Sequence, residues 1–234
     1  MTVVAIHQPN YLPWLGFFSK LRQADVFIFL DDAQYTKNSY INRTRVLCDG
    51  AAKWLTIPLR VPLGTPIHAA RPSAADWIDG HFDRMSNYYR TAPARREALS
   101  ELTAVFMGIE ASDSIANINM ALIRALASRL GIATQFRVAS EFGLSDMRSN
   151  ERLIELVRSI DREGVYLSGA GASSYQNPEW FEAAGVKIEF TRFNHPDYGQ
   201  VGLPFVAGLS VVDAVFWQGW EAAAALLRNS IKAQ

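Results

Sequence analysis

Cysteine is almost absent: Cys48 stands alone among 234 residues. No intrachain disulfide can form, and nothing points to an oxidising compartment. An excess of charge of either sign is missing too. Lys plus Arg number 23 and Asp plus Glu number 23, whereas a protein that grips a duplex carries a basic surplus. No duplex nucleic-acid partner is expected, although a local basic pocket is compatible with this balance. No apolar run approaches the roughly 18 residues that a membrane-spanning helix needs. The opening "MTVVAIHQ" lacks the basic start and longer apolar core of a secretory signal. The expectation is a soluble, cytoplasmic protein with no membrane span. Familiar catalytic signatures are also lacking. There is no Cys/His zinc spacing, no H-E-x-x-H, no G-x-S-x-G, no P-loop and no G-x-G-x-x-G at the first strand. The sequence therefore carries no recognised metal-binding motif and points to no particular cofactor.

What is present is a regular alternation of strand and helix patterns. Residues 2–6 are apolar and β-branched and predict a buried strand. Residues 14–23, "WLGFFSKLRQ", place Leu15, Phe18 and Leu21, or Phe17 and Leu21, on one helical face. "ADVFIFLDD" (24–32) predicts a second buried strand ended by two acids. Strand, helix and strand so close together make a βαβ unit, whose crossover makes the strands parallel. Residues 54–60 read as a strand and 62–74 as a loop. Residues 76–107 predict helix broken near Pro93. Residues 112–130 predict an amphipathic helix capped by Ser112 or Asp113 and stopped at Gly131. A strand at 133–140, a helix at 149–160 and a strand opening 164–175 follow. Asn177 and Pro178 start a short helix, 186–193 is a last strand, and 209–229 is a helix opened by Ser210 and Asp213 as a capping box.

The sum predicts an α/β fold with a mostly parallel sheet, Rossmann-like or nucleotidylyltransferase-like, and helices on both faces. One domain spans 1–234, and the helical segment 76–130, long for a crossover, reads as an inserted lid or subdomain.

In open α/β sheets, ligands bind beyond the carboxyl ends of the strands. That rule selects four loops: 7–16, 31–45, 168–175 and 193–200. His7 is either a general base or phosphate ligand, or a half-buried ring bonded to the loop backbone. Gln8, Asn10, Tyr11 and Trp14 accompany it, the two aromatics as faces for a sugar. Asp31 and Asp32 are adjacent, so an extended strand points them to opposite sides and one enters the cleft, there to hold a divalent cation or an amine, unless both merely end the strand. Lys37, Asn42, Arg43 and Arg45 form the densest donor group. They suit a phosphate or carboxylate, with Tyr35 and Tyr40 for stacking; the alternative is a solvated hairpin. Ser168, Gly169 and Gly171, followed by Tyr175, offer backbone N–H groups to an anion or form a plain tight turn. His195 is oriented by Asp197 or belongs to a structural turn at Pro196. His68, His81 and Cys48 carry little functional weight. The catalytic candidates are thus His7, Asp32 and His195.

The opening stretch faintly resembles the nucleotidylyltransferase superfamily, with Trp14–Leu15–Gly16–Phe17 at the place of its HxGH tetrad. The glycine is kept and both histidines are missing, so the likeness supports the loop geometry and speaks against that reaction. A closer resemblance covers nearly the whole chain. "HQPNYLPWLGFFSKLRQADVFIFLDDAQYTKNSYINRTRV", "WLTIPL", "ERLIELV", "YLSGAGASSY", "FNHPDYGQ" and "LSVVDAVF" resemble the WbqC-like protein family. The resemblance implies a bacterial cytoplasmic protein of O-antigen or other surface-polysaccharide biosynthesis. It suggests a transferase that acylates or aminoacylates the amine of a nucleotide-linked sugar, with an acyl or aminoacyl donor as second partner. The competing readings are a nucleoside-triphosphate-binding nucleotidyltransferase and a non-catalytic binding protein of the polysaccharide machinery.

Overall fold

A β-branched run followed by a proline-rich loop becomes the central strand of the molecule. The computed structural model describes residues 1–172, 176–200 and 204–229. In chain order, β1 (Val3–His7) leads through α1 (Leu15–Arg22) to β2 (Val26–Phe29). A hairpin of β3 (Arg43–Cys48) and β4 (Ala51–Thr56) follows, then α2 (Trp77–Tyr88), α3 (Arg95–Phe106) and α4 (Ile115–Arg129). The chain returns to β5 (Gln135–Val138), α5 (Ser149–Arg158), β6 (Val165–Gly169), α6 (Pro178–Ala183), β7 (Lys187–Thr191) and α7 (Val211–Asn229).

The main sheet has five strands, ordered β5-β2-β1-β6-β7, and every pairing is parallel. The chain winds outward from β1 through β2 to β5. It then returns to pair β6 with the other edge of β1. This is the doubly wound, Rossmann-like order, and its switch point lies between β1 and β6. Side-chain alternation divides the sheet residues between two cores. Ala5, Phe27, Phe29 and Leu167 point to one face, where α1, α4 and α7 pack. Val4, Ile6, Val26, Ile28 and Tyr166 point to the other, against α5 and α6. Burial on both faces explains why β1 and β2 read as continuous apolar runs. The helices of 77–129 share the first of these cores with the sheet. Arg124 of α4 lies over the Phe29 and Phe136 rings, at 5.4 and 5.7 Å.

Two local expectations are corrected. The strand read at 54–60 begins earlier and does not join the sheet. It pairs antiparallel with Arg43–Cys48, a strand whose first three residues belong to the expected loop 31–45. The turn is Asp49–Gly50, with φ of 48° and 78°. Two consecutive positive φ values are those of a two-residue primed turn, which favours Asp-Gly. The second correction concerns the start of α7. Ser210 does precede the helix, where its oxygen accepts from Val212 N–H at 3.4 Å while its hydroxyl donates to the Leu12 carbonyl at 2.7 Å. Asp213 is fully buried instead of capping. Its carboxylate accepts from the Tyr89 hydroxyl (2.7 Å), the Gln200 amide (2.8 Å) and the Tyr198 hydroxyl. Burial pushes its pKa up, while those three donors pull it back. At the start of α4 the cap is Ser114, whose oxygen accepts from Asn117 N–H at 3.1 Å, displaced slightly from the expected Ser112 or Asp113.

The Asp213 carboxylate thus joins α7 to α2's end and to the 193–200 segment. Asp213→Ala leaves three buried donors without an acceptor, each costing about 1–3 kcal/mol. The expected loss is roughly 3–5 kcal/mol in a urea melt, with Tyr198→Phe costing clearly less.

Candidate functional site

A cavity of about 650 Å³ opens at the switch point. Its floor is the carboxyl end of β1 (Ile6, His7) and of β6 (Ser168, Gly169); Thr191 at the end of β7 lies beside them. One wall is the first turns of α1, the other the turn 170–172 with Gln176. Trp14, Phe17, Tyr166 and Phe193 make the rest largely aromatic.

The loop from β1 to α1 sets this wall. Leu12 adopts φ 39° and is fully buried. Its carbonyl accepts from the hydroxyls of Thr44 (2.9 Å) and Ser210 (2.7 Å). Asn119 of α4 donates to the carbonyls of Pro9 (2.9 Å) and Ile41 (2.7 Å). Trp14 then folds back over the helix start. A Cβ at Gly16 would overlap its indole, so only glycine fits there. Phe193 meets the indole edge-on at 5.3 Å, and His195 stacks on it at 4.9 Å.

The polar groups of the cavity are unusual in sign. No Asp or Glu lines it. Lys20 of α1 is only 5% exposed. Its Nζ donates to the Ile6 carbonyl at 3.2 Å. Burial, with no carboxylate to offset it, lowers the amine from its ordinary 10.5 to about 7. His7 keeps one edge on the cavity and is otherwise enclosed. Its Nδ1–H donates to the Gln8 carbonyl at 2.9 Å, which assigns the tautomer and leaves Nε2 as an acceptor. Burial first, then the Lys20 charge, lowers this imidazole to about 3, so it is neutral at physiological pH. The Ser168 hydroxyl and the Gln176 carbonyl oxygen are buried and without a hydrogen-bond partner among the described residues.

Of the residues singled out in the sequence, His7, Gln8, Trp14, Ser168, Gly169 and Gly171 line this cavity. His195 does not line it and lies behind Trp14 and Phe193. Burial lowers its pKa, and its Nδ1 has no hydrogen-bond partner among the described residues. Asp197 accepts from Gly199 N–H at 2.9 Å and does not orient that ring. The others lie elsewhere. Tyr11 is core: its hydroxyl bonds His81 at 2.8 Å. Asn10 is half-buried in the loop and does not line the cavity. Asp31 accepts from Ser140 N–H at 3.0 Å and lies 3.7 Å from His68. Asp32 pairs with Arg152 of α5, both nearly buried. Tyr35 donates to Asn42 at 2.9 Å. Lys37 is exposed, and Arg43 and Arg45 belong to the hairpin. Tyr175 falls outside the described residues. No group of three or more His, Cys, Asp or Glu gathers among those that are described. No helix among them is long and apolar enough to cross a membrane.

The profile of the WbqC-like protein family matches residues 8–225 of the chain. The chain belongs to that family. It is also similar to an uncharacterized protein of Mycobacterium tuberculosis, Rv1507c: 30% identical over 225 residues, which cover 95% of this chain and 96% of the other.

In this WbqC-like chain the residue that sequence reasoning missed is Lys20. The available signal was a lysine between Phe17 and Leu21 on a helix whose residues 15 to 21 are all buried. The lowered amine makes a stability prediction with a definite sign. Between about pH 7 and 10.5, the unfolded chain holds a proton on Lys20 that the folded one does not. Stability contributed by this group therefore rises with pH across that window. Lys20→Met removes that slope and is more stable than the parent at pH 6, as urea melts at several pH values will show.

Proposed function

We propose that this WbqC-like protein is a transferase of bacterial surface-polysaccharide (O-antigen) biosynthesis. It acylates or aminoacylates the amine of a nucleotide-linked sugar held in the cavity at the switch point. The single observation that carries the reading is a buried, neutralisable lysine in a cavity free of carboxylates. A general base works best when its pKa lies near the operating pH, and the Lys20 value of about 7 meets that condition. The His7 value of about 3 makes it a weak base. It serves instead as a neutral acceptor at Nε2 for the incoming amine or a sugar hydroxyl. Trp14 offers an aromatic face to the apolar side of a pyranose. The 169–171 turn and the Ser168 hydroxyl offer donors to a phosphate. The absence of acids from the lining favours an anionic ligand.

In the proposed step, the sugar nitrogen attacks the acyl carbon, Lys20 takes the nitrogen's proton, and the donor's leaving group departs. Lys20→Met is expected to lower turnover about 10²–10⁴-fold with substrate binding retained. It also removes the rising limb near pH 7 from the rate profile. Full turnover with that limb intact in Lys20→Met places the base elsewhere.

A further inference from the structure

The basic residues of this neutral chain are unevenly spread. Residues 33–75 hold Lys37, Arg43, Arg45, Lys53, Arg60 and Arg71 against one acid, Asp49. Asp49 lies 3.7 Å from Arg90, and Arg71 lies 3.6 Å from Asp113. The other five cations have no ion-pair partner among the described residues. Several of them surround one indole. Trp54 is 41% exposed. The Arg43 guanidinium lies over its ring, 4.0 Å from the centroid. Tyr40, equally exposed, packs against it at 5.4 Å. Arg45 stands directly opposite Trp54 across the hairpin. Lys37 lies in the exposed loop whose Asn38 carbonyl accepts from Arg43. This patch adjoins the cavity's own loop, since Tyr11 N–H donates to the Tyr40 carbonyl at 2.9 Å.

We propose that this face of the hairpin is a docking surface for a single-stranded polynucleotide. The reading goes beyond the transferase assignment and does not depend on it. Charge complementarity selects a polyanion: Lys37, Arg43 and Arg45, none ion-paired among the described residues, gather at this face of a chain with no net charge. The half-exposed Trp54 ring, with the Arg43 guanidinium over it and Tyr40 tilted 57° against it, selects bases over other anions. Unpaired bases stack on aromatic and guanidinium planes whatever their sequence, while cations follow the phosphates. A duplex keeps its bases stacked inside and offers none to the indole. An anionic lipid surface would draw the ring in among acyl chains, whereas this indole carries a guanidinium over its face and a phenol tilted against it.

Fluorescence anisotropy with labelled oligo(A) at low salt tests this, with a duplex and phosphatidylglycerol vesicles as the other arms. The parent is expected to bind the single strand and to lose affinity as salt rises. Trp54→Ala weakens binding about tenfold. Lys37→Glu weakens it and flattens the salt dependence. Both are surface changes, and unchanged thermal melts confirm the fold. Lys20→Met binds like the parent, so failure of the transferase reading leaves this readout intact. No binding to oligo(A) at low salt, equal binding to the duplex, binding only to the vesicles, or indifference to Trp54→Ala each overturn the proposal.

Discussion

A lysine amine enclosed without a counter-charge is the constraint on which the candidate site depends. Lys20 reaches the cavity because α1 is buried all round, not along a single stripe. A helix in that setting has no solvent face to which a long cation can escape. The amine is held by one carbonyl, that of Ile6 in β1. Its charge in turn helps keep His7 neutral. One burial event therefore sets the protonation state of two groups on the cavity floor. Groups so perturbed, in a concave site at a sheet's switch point, are where function concentrates.

The proline-rich loop holds that arrangement by means other than its prolines alone. Its backbone carbonyls are bound by side chains from three distant segments: Thr44 in β3, Asn119 in α4 and Ser210 before α7. Leu12 at positive φ is a costly conformation for a branched side chain, of order 1–3 kcal/mol. The two hydroxyls on its carbonyl and its complete burial over-determine it. The consequence is the position of Trp14, whose ring lies over Gly16 and under His195.

Much of the fold was legible because periodicity reports burial. The runs at Val3–His7 and Val26–Phe29 are apolar without alternation, as strands covered on both faces must be. Their order in the sheet, and hence the switch point, is set by long-range pairings such as β1 with β6, which periodicity does not report. The hairpin is harder to see because Arg43–Cys48 mixes cations with apolar residues, so that only the Asp49–Gly50 pair marks its turn. The site was legible in part. His7, Gln8, Trp14 and the Ser168–Gly171 turn were found by the strand-end rule alone. Asp31 and Asp32 obey the same rule and lie elsewhere, because partners far along the chain claim them: Ser140 N–H for one and Arg152 for the other. Lys20 was invisible to the rule because it sits on a helix, and sequence gives no sign of which cation lacks a partner.

The cavity wall and the hairpin are joined through one buried carboxylate. Leu47 N–H in β3 donates to the Tyr89 hydroxyl at 3.1 Å, and that hydroxyl donates to Asp213. The other oxygen of Asp213 takes Tyr198 and Gln200, in the segment that begins with Phe193 and His195. Those two rings are what press Trp14 against the helix start. Each link is a hydrogen bond or ring contact between buried or half-buried groups, where an unmade bond is costly. A displacement of β3 would have to break one of them before reaching solvent. The aromatic wall of the cavity is therefore fixed from the hairpin side as firmly as from the sheet, although the hairpin contributes no atom to its lining.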